Sequence, residues 1–197
     1  MSKGKNTRQF IIEQTAPLFN TKGVAATAIT DIMEVTNLAK GSLYVHFANK
    51  EELAYCAVDY NLQQFVEKTG AEAQKYSGAK EKFFALLDYL GDPLNPPVKG
   101  GCPMMNFGME ADDTNPVIKE KVYNTICTVQ QAMTDIVEQG MAEGTFRKEW
   151  DVKVFVTKAY AMIEGGILVS RVSGNSDQMD LLVGLLKAEI EAQVIKS

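Results

Sequence analysis

Residues 27–53 read TAITDIMEVTNLAKGSLYVHFANKEEL, and this stretch decides how the rest of the chain is understood. Residues 28–35 place Ile29, Ile32 and Met33 on one face at helical spacing, with Thr27 expected as the N-cap. Thr36-Asn37 interrupts the pattern, and a second helix of about two turns is expected over residues 39–45. Asn49 is placed to cap a third helix beginning at Lys50. A helix of two turns is too short to be stable alone, so its neighbours must hold it in place. The side chains it offers, Lys40, Gly41, Ser42, Tyr44 and His46, are polar or small. A short polar helix presented by two flanking helices is the profile of a helix-turn-helix that reads DNA with its second helix.

The same run resembles the DNA-binding domain of the TetR family of bacterial transcriptional regulators. That family opens its second helix with threonine, follows with Asp-Ile, and carries K-G-[ST]-L-Y-x-H-F-x-[NS]-K-E-x-L across helix three and the start of helix four. The matching positions are Thr27, Asp31-Ile32 and the unbroken run from Lys40 to Leu53. The match covers the first quarter of the chain. It implies an all-α fold with an N-terminal three-helix head (residues 1–49) and a helical ligand-binding and dimerisation body (residues 50–197). The implied DNA contacts are Thr27, Ala39, Lys40, Gly41, Ser42, Tyr44, His46 and Lys50. Chemistry agrees with the assignment. Gly41 lets backbone approach the duplex, Lys40 suits a phosphate or a guanine edge, and Ser42, Tyr44 and His46 carry hydrogen-bonding tips. The family usually has serine at the position of Ala39, so the operator of a relative is not transferable.

Charge distribution supports a nucleic-acid partner despite the net charge of −5. Lys3, Lys5, Arg8, Lys22, Lys40 and Lys50 outnumber Glu13, Asp31 and Glu34 in the first fifty residues, so the acidic surplus lies in the remainder. Lys3, Lys5 and Arg8 suggest a basic arm for phosphates or the minor groove. Hydrophobic residues at 46% and charged residues at 23% indicate an ordinary globular chain. The three cysteines form no disulfide framework, and neither a secretory h-region nor an apolar run of spanning length is visible. A cytoplasmic bacterial protein, nucleoid-associated when bound to DNA, is expected. His46 is the sole histidine, which leaves the body without the base of a Ser-His-Asp or Cys-His arrangement and without a Cys/His metal cluster. No enzyme, cofactor or metal is expected.

The body reads as further helices. The one opened at Lys50 is expected to reach about Tyr76, and helices follow over 79–90, 103–111, 116–143, 152–172 and 177–195, making nine in all. Pro17 should bend the first helix without ending it, and the proline-rich segment 91–101 should form a surface loop at a functional edge. Cys102, Met104, Met105, Phe107, Met109, Met133, Phe155, Tyr160 and Met162 are expected to wall a chamber for a lipophilic or aromatic effector. Asn106, Glu110 and Glu164 are its candidate polar anchors. The last two helices resemble the family's dimer surface, with Ala159, Gly165 and Gly166 permitting close approach and Leu182, Leu185 and Leu186 supplying apolar area.

The expected function is a homodimeric repressor that releases a palindromic operator when effector binds. Two other readings are open. Cys102 follows two glycines at a helix start and resembles a thiol sensor of electrophiles or oxidants. A helical small-molecule carrier without DNA binding is the other.

Overall fold

The computed structural model describes the backbone of residues 3–195 and side chains from Asn6 to Ile195. Nine α-helices occur among the described residues: α1 Lys3–Lys22, α2 Ile29–Thr36, α3 Lys40–Tyr44, α4 Lys50–Ala73, α5 Ala79–Leu90, α6 Pro103–Ala111, α7 Pro116–Ala142, α8 Val152–Ser173 and α9 Asp177–Gln193. The only β pairing among the described residues is an isolated bridge between Phe146 and Val194.

Local chemistry explains most boundaries. Asn49 Oδ1 accepts from the Glu52 N–H at 2.8 Å at the start of α4. Asn115 Oδ1 accepts from Ile118 at 3.0 Å ahead of Pro116, and Asp151 Oδ1 accepts from Val154 at 3.0 Å ahead of α8. Pro17 sits inside α1, which continues through it to Lys22. Two helices end earlier than periodicity suggests. Beyond Ala73 the chain tightens, Lys75 and Tyr76 donating to carbonyls three residues back. At the C-terminus, Arg147 N donates to Gln193 O at 3.0 Å and Ile195 N to Thr145 O at 2.9 Å, so residues 194–195 pair with the α7–α8 turn and leave the helix.

Thr27 is not the cap of α2. That position is Ala28, whose N–H donates to the Asp31 carboxylate at 2.7 Å. Thr27 is fully buried, and its hydroxyl donates to Gly23 O at 2.5 Å.

The chain packs as two compact units, residues 1–65 with 98–124, and residues 66–97 with 125–197. The packed head is therefore larger than residues 1–49, because α6 and the start of α7 fold with it. Its core includes Ile11, Phe19, Ile32, Leu43, Phe47, Leu53 and Phe107, all buried. Asn61 ties α4 to α1, its amide donating to Ala16 O at 2.7 Å. In the second unit the Phe83 and Phe155 rings pack tilted with centroids 5.3 Å apart, Trp150 lies 4.4 Å from Phe155, and Phe146 meets Trp150 edge-on at 5.3 Å.

The 91–101 loop is pinned at its C-terminal end. Asn20 Nδ2 donates to Lys99 O at 2.9 Å and to Gly101 O at 3.1 Å. Gly100 has φ +104°, and a Cβ there would lie 2.9 Å from Asn20 O, so glycine alone fits.

Candidate nucleic-acid interface and effector pocket

Helix α3 is one and a half turns long and is held by Leu43, which is 3% exposed against the head's core. The side chains around that anchor face outward. Ala39, Lys40, Gly41, Ser42 and Tyr44 are exposed, and His46 is half-buried. A Cβ built on Gly41 meets nothing within 4 Å, so the backbone there is open to close approach. Lys40 Nζ sits 5.9 Å from the Tyr44 ring centroid, which restrains both tips on one face. Ala39 is the N-cap of α3 and supplies no side-chain acceptor. Asn37 closes α2 with φ 54°, giving the left-handed step that turns the chain into α3. Sequence reading missed Val45, 78% exposed beside Tyr44, because an apolar β-branched residue in a helix reads as core. On this face its methyls suit contact with a thymine methyl.

Thr27 and Lys50 stand apart from that face. Lys50 Nζ donates to Val24 O and to Thr27 O, each at 2.8 Å. Both residues hold the turn between α1 and α2. Arg8 likewise does not form a free arm. It lies within α1, pairs with Glu52 at 3.1 Å, and stacks 4.7 Å above the Phe47 ring. The side chains of Lys3 and Lys5, the rest of the expected arm, lie outside the described residues.

Two carboxylates brace the head. Asp31 is held below its ordinary titration range by a 2.5 Å ion pair with Lys22 and by the Ala28 N–H. Glu52 is lowered by the Ala48 N–H at 2.7 Å and then by Arg8.

The expected effector residues divide between the units. Cys102, Met104, Met105, Phe107 and Met109 belong to the head unit, and Met133, Phe155, Tyr160 and Met162 to the second. Met109 is 73% exposed and turned to solvent. Phe155 is buried in the aromatic cluster between Phe83 and Trp150. Tyr160 and Met162 are half-buried on α8, and Met105 on α6. Met133 lines an apolar pocket of about 90 Å³ in the second unit, with Val66, Ala73, Leu86, Val129 and Ile136 from α4, α5 and α7. Asn106 and Glu110 are engaged elsewhere. Asn106 Nδ2 donates to Asn20 O and Gly100 O, each at 3.0 Å, and Glu110 accepts from the Val24 and Ala25 N–H groups. Glu164 is half-buried within α8. Cys102 is the N-cap of α6 and only 3% exposed. Burial denies water-borne electrophiles the access that a sensor thiol needs, and the thiol reading is not favoured.

Of the expected small residues on α8, Ala159 and Gly166 face inward and Gly165 is exposed. A Cβ on Gly166 would meet Met179 Sδ at 2.4 Å, and Ala159 and Leu186 are buried. Gly166 lets α8 and α9 of one chain close on each other, and Ala159 and Leu186 lie in that unit's core. Outward apolar side chains on these helices include Leu168, Val172, Leu181 and Leu185, between 52% and 81% exposed, with Gly165 and Gly184 open beside them. Leu182 is half-buried.

Comparisons with known proteins agree with this architecture. Residues 11–54 match the family described as bacterial regulatory proteins, tetR family, and residues 79–185 match the tetracyclin repressor-like C-terminal domain. The probable HTH-type transcriptional regulator ArpR of Pseudomonas putida is 39% identical over 185 residues, covering 91% of this chain and 86% of that one. The HTH-type transcriptional repressor ComR of Escherichia coli is 25% identical, covering 90% of this chain and 85% of that protein. A transcriptional regulator of the TetR family from Cytophaga hutchinsonii superposes with TM-score 0.92 and 35% identity, covering 100% of this chain and 99% of that chain.

Proposed function

Because the chain belongs to the TetR family and is a ligand-responsive DNA-binding transcriptional regulator, we propose that it acts as a homodimeric repressor of a palindromic operator. The observation that carries this is α3, whose single buried leucine anchors an outward face of Lys40, Gly41, Ser42, Tyr44 and Val45. Lys40 and Tyr44 take phosphate or base-edge contacts, Ser42 a hydrogen bond, and Ala39 and Val45 apolar contact. His46, half-buried at the end of α3, takes a backbone contact. Thr27 and Lys50 act through the turn they hold. Residues 1–49 carry the DNA contacts and residues 50–197 the effector and the partner copy. The similarity to ComR, a repressor, supports repression over activation.

One five-residue helix in one groove discriminates poorly, and two half-sites multiply the discrimination. The exposed stripe of Leu168, Val172, Leu181 and Leu185 is apolar surface of the kind a second copy covers. The pocket around Met133, at about 90 Å³, admits a small lipophilic effector only by widening, and its α4 wall belongs to a helix continuous back to Lys50. An effector that fits better when α4 is displaced lowers operator affinity by the difference in its own affinity for the two positions. The protein acts by binding and works in the bacterial cytoplasm, on the nucleoid when it is bound to DNA. Selection of bound duplexes from a random library tests the reading. An inverted repeat with half-sites one helical turn apart is expected, and recovery of no inverted repeat would sink it.

A further inference from the structure

The turn joining α1 to α2 is held from both sides by side chains far away in sequence. Glu110 of α6 accepts from Val24 N at 2.9 Å and Ala25 N at 2.7 Å, one bond to each carboxylate oxygen. Lys50 of α4 donates to the Val24 and Thr27 carbonyls. Gly23, at φ +87°, leaves room for the carboxylate, since a Cβ there would lie 3.1 Å from Glu110 Oε2. Charge-assisted bonds of this kind are about twice as strong as neutral ones, so α2 is launched from a turn fixed by Glu110.

A cleft of about 270 Å³ opens beside this latch, wholly within the head unit. Val24, Phe107 and Ile118 give it an apolar floor, and Glu51, Lys50 and Glu110 line its polar side. The two carboxylates outnumber the one ammonium, and that ammonium is directed at the turn's carbonyls. Glu51 is exposed and accepts from Tyr55 Oη through Oε1 at 2.6 Å.

We propose that this cleft is a small-molecule site distinct from the Met133 pocket, taking a lipophilic organic monocation whose charge competes with the Val24 and Ala25 amides for Glu110. The apolar body rests on Phe107 and Ile118, and the cationic head lies between Glu51 and Glu110. A cleft of this volume holds one aryl ring with a small ammonium group, just below the usual range of ligand-pocket sizes. Drawing Glu110 toward the ligand loosens the turn and with it the placement of α2 and α3. Occupancy therefore lowers operator affinity, a consequence that rests on the DNA-binding reading, whereas binding itself does not.

The test uses the full-length protein and benzyltrimethylammonium as probe, with its carbon isostere neopentylbenzene as the uncharged control. Calorimetry without DNA reads the site. Saturable binding is expected to weaken about tenfold in Glu51→Gln, a loss corresponding to about 1.4 kcal/mol. It should weaken similarly in Thr114→Lys, which adds a positive charge at an exposed lining position. Both substitutions are on the surface and leave the fold readable by circular dichroism. No saturable binding, equal affinity in wild type and both variants, or equal binding of neopentylbenzene overturns the site. Fluorescence anisotropy on the selected operator then reads the coupling. A several-fold affinity loss at saturating probe is expected, and unchanged or tighter operator binding overturns the competition for Glu110. A protein that binds no operator at all fails the proposed function, while the calorimetric outcome still decides the site.

Discussion

Asp31 and Glu52 are partly exposed carboxylates, and each sits where it satisfies a backbone N–H that its helix start would otherwise leave open. Asp31 adds Lys22, and Glu52 adds Arg8. Both titrate below their ordinary values in the folded head, so their stabilisation is complete above the unfolded range near pH 4 and is lost as pH falls through the lowered values. Thermal unfolding between pH 7 and about pH 3 is expected to show a falling midpoint in the wild type. Asp31→Asn and Glu52→Gln should start lower at neutral pH and lose less on acidification, and parallel curves for variants and wild type would contradict this assignment. Residues of this kind were only half legible. Asp31 matches a family position, but its pairing with Lys22 requires the two helices to be packed. Arg8, read as part of an arm, is drawn to Glu52 and the Phe47 ring for the same reason.

Among the elements, α3 is the most dependent on its surroundings. It has five residues, an N-cap without a side-chain acceptor, and one buried anchor. Restoring an acceptor with Ala39→Ser should raise stability by about 0.5–1 kcal/mol, seen as a higher urea midpoint at unchanged slope. The residue is exposed, so the hydroxyl meets no clash. Helix α9 shows the opposite limit of local reading. Its apolar period runs to Ile195, but strand-like pairing with the α7–α8 turn unwinds the last residues, a contact between segments nearly fifty positions apart that periodicity does not contain.

The whole molecule requires a partner copy if the exposed stripe on α8 and α9 is to be covered. Leu185→Glu together with Val172→Glu should give a monomer in sedimentation, with operator affinity reduced by about 10²-fold through loss of the second half-site, while helix content is retained. A dimer that persists in the double variant would place the interface elsewhere. Of the residues expected from spacing, Leu185 and Gly165 face outward, whereas Leu168, Val172 and Leu181 are not among those expected. Gly166, Ala159 and Leu186 have the composition of a close interface, but all three are buried within the chain, Gly166 against Met179 of α9.

The all-α class, the order of the nine helices among the described residues and the helix-turn-helix head were determined by sequence alone, because caps, proline and glycine stops and 3.6-residue periodicity act over a few positions. The run from Lys40 to Leu53 is equally local, so the outward face of α3 could be read directly. Tertiary structure decided which polar groups remain available. Thr27 and Lys50 hold the α1–α2 turn, Asn106 binds Asn20 eighty-six positions away, and Glu110 closes on Val24 across the same distance. A buried or half-buried polar group must find a partner, and only the packed chain determines which backbone amide or carbonyl lies within reach.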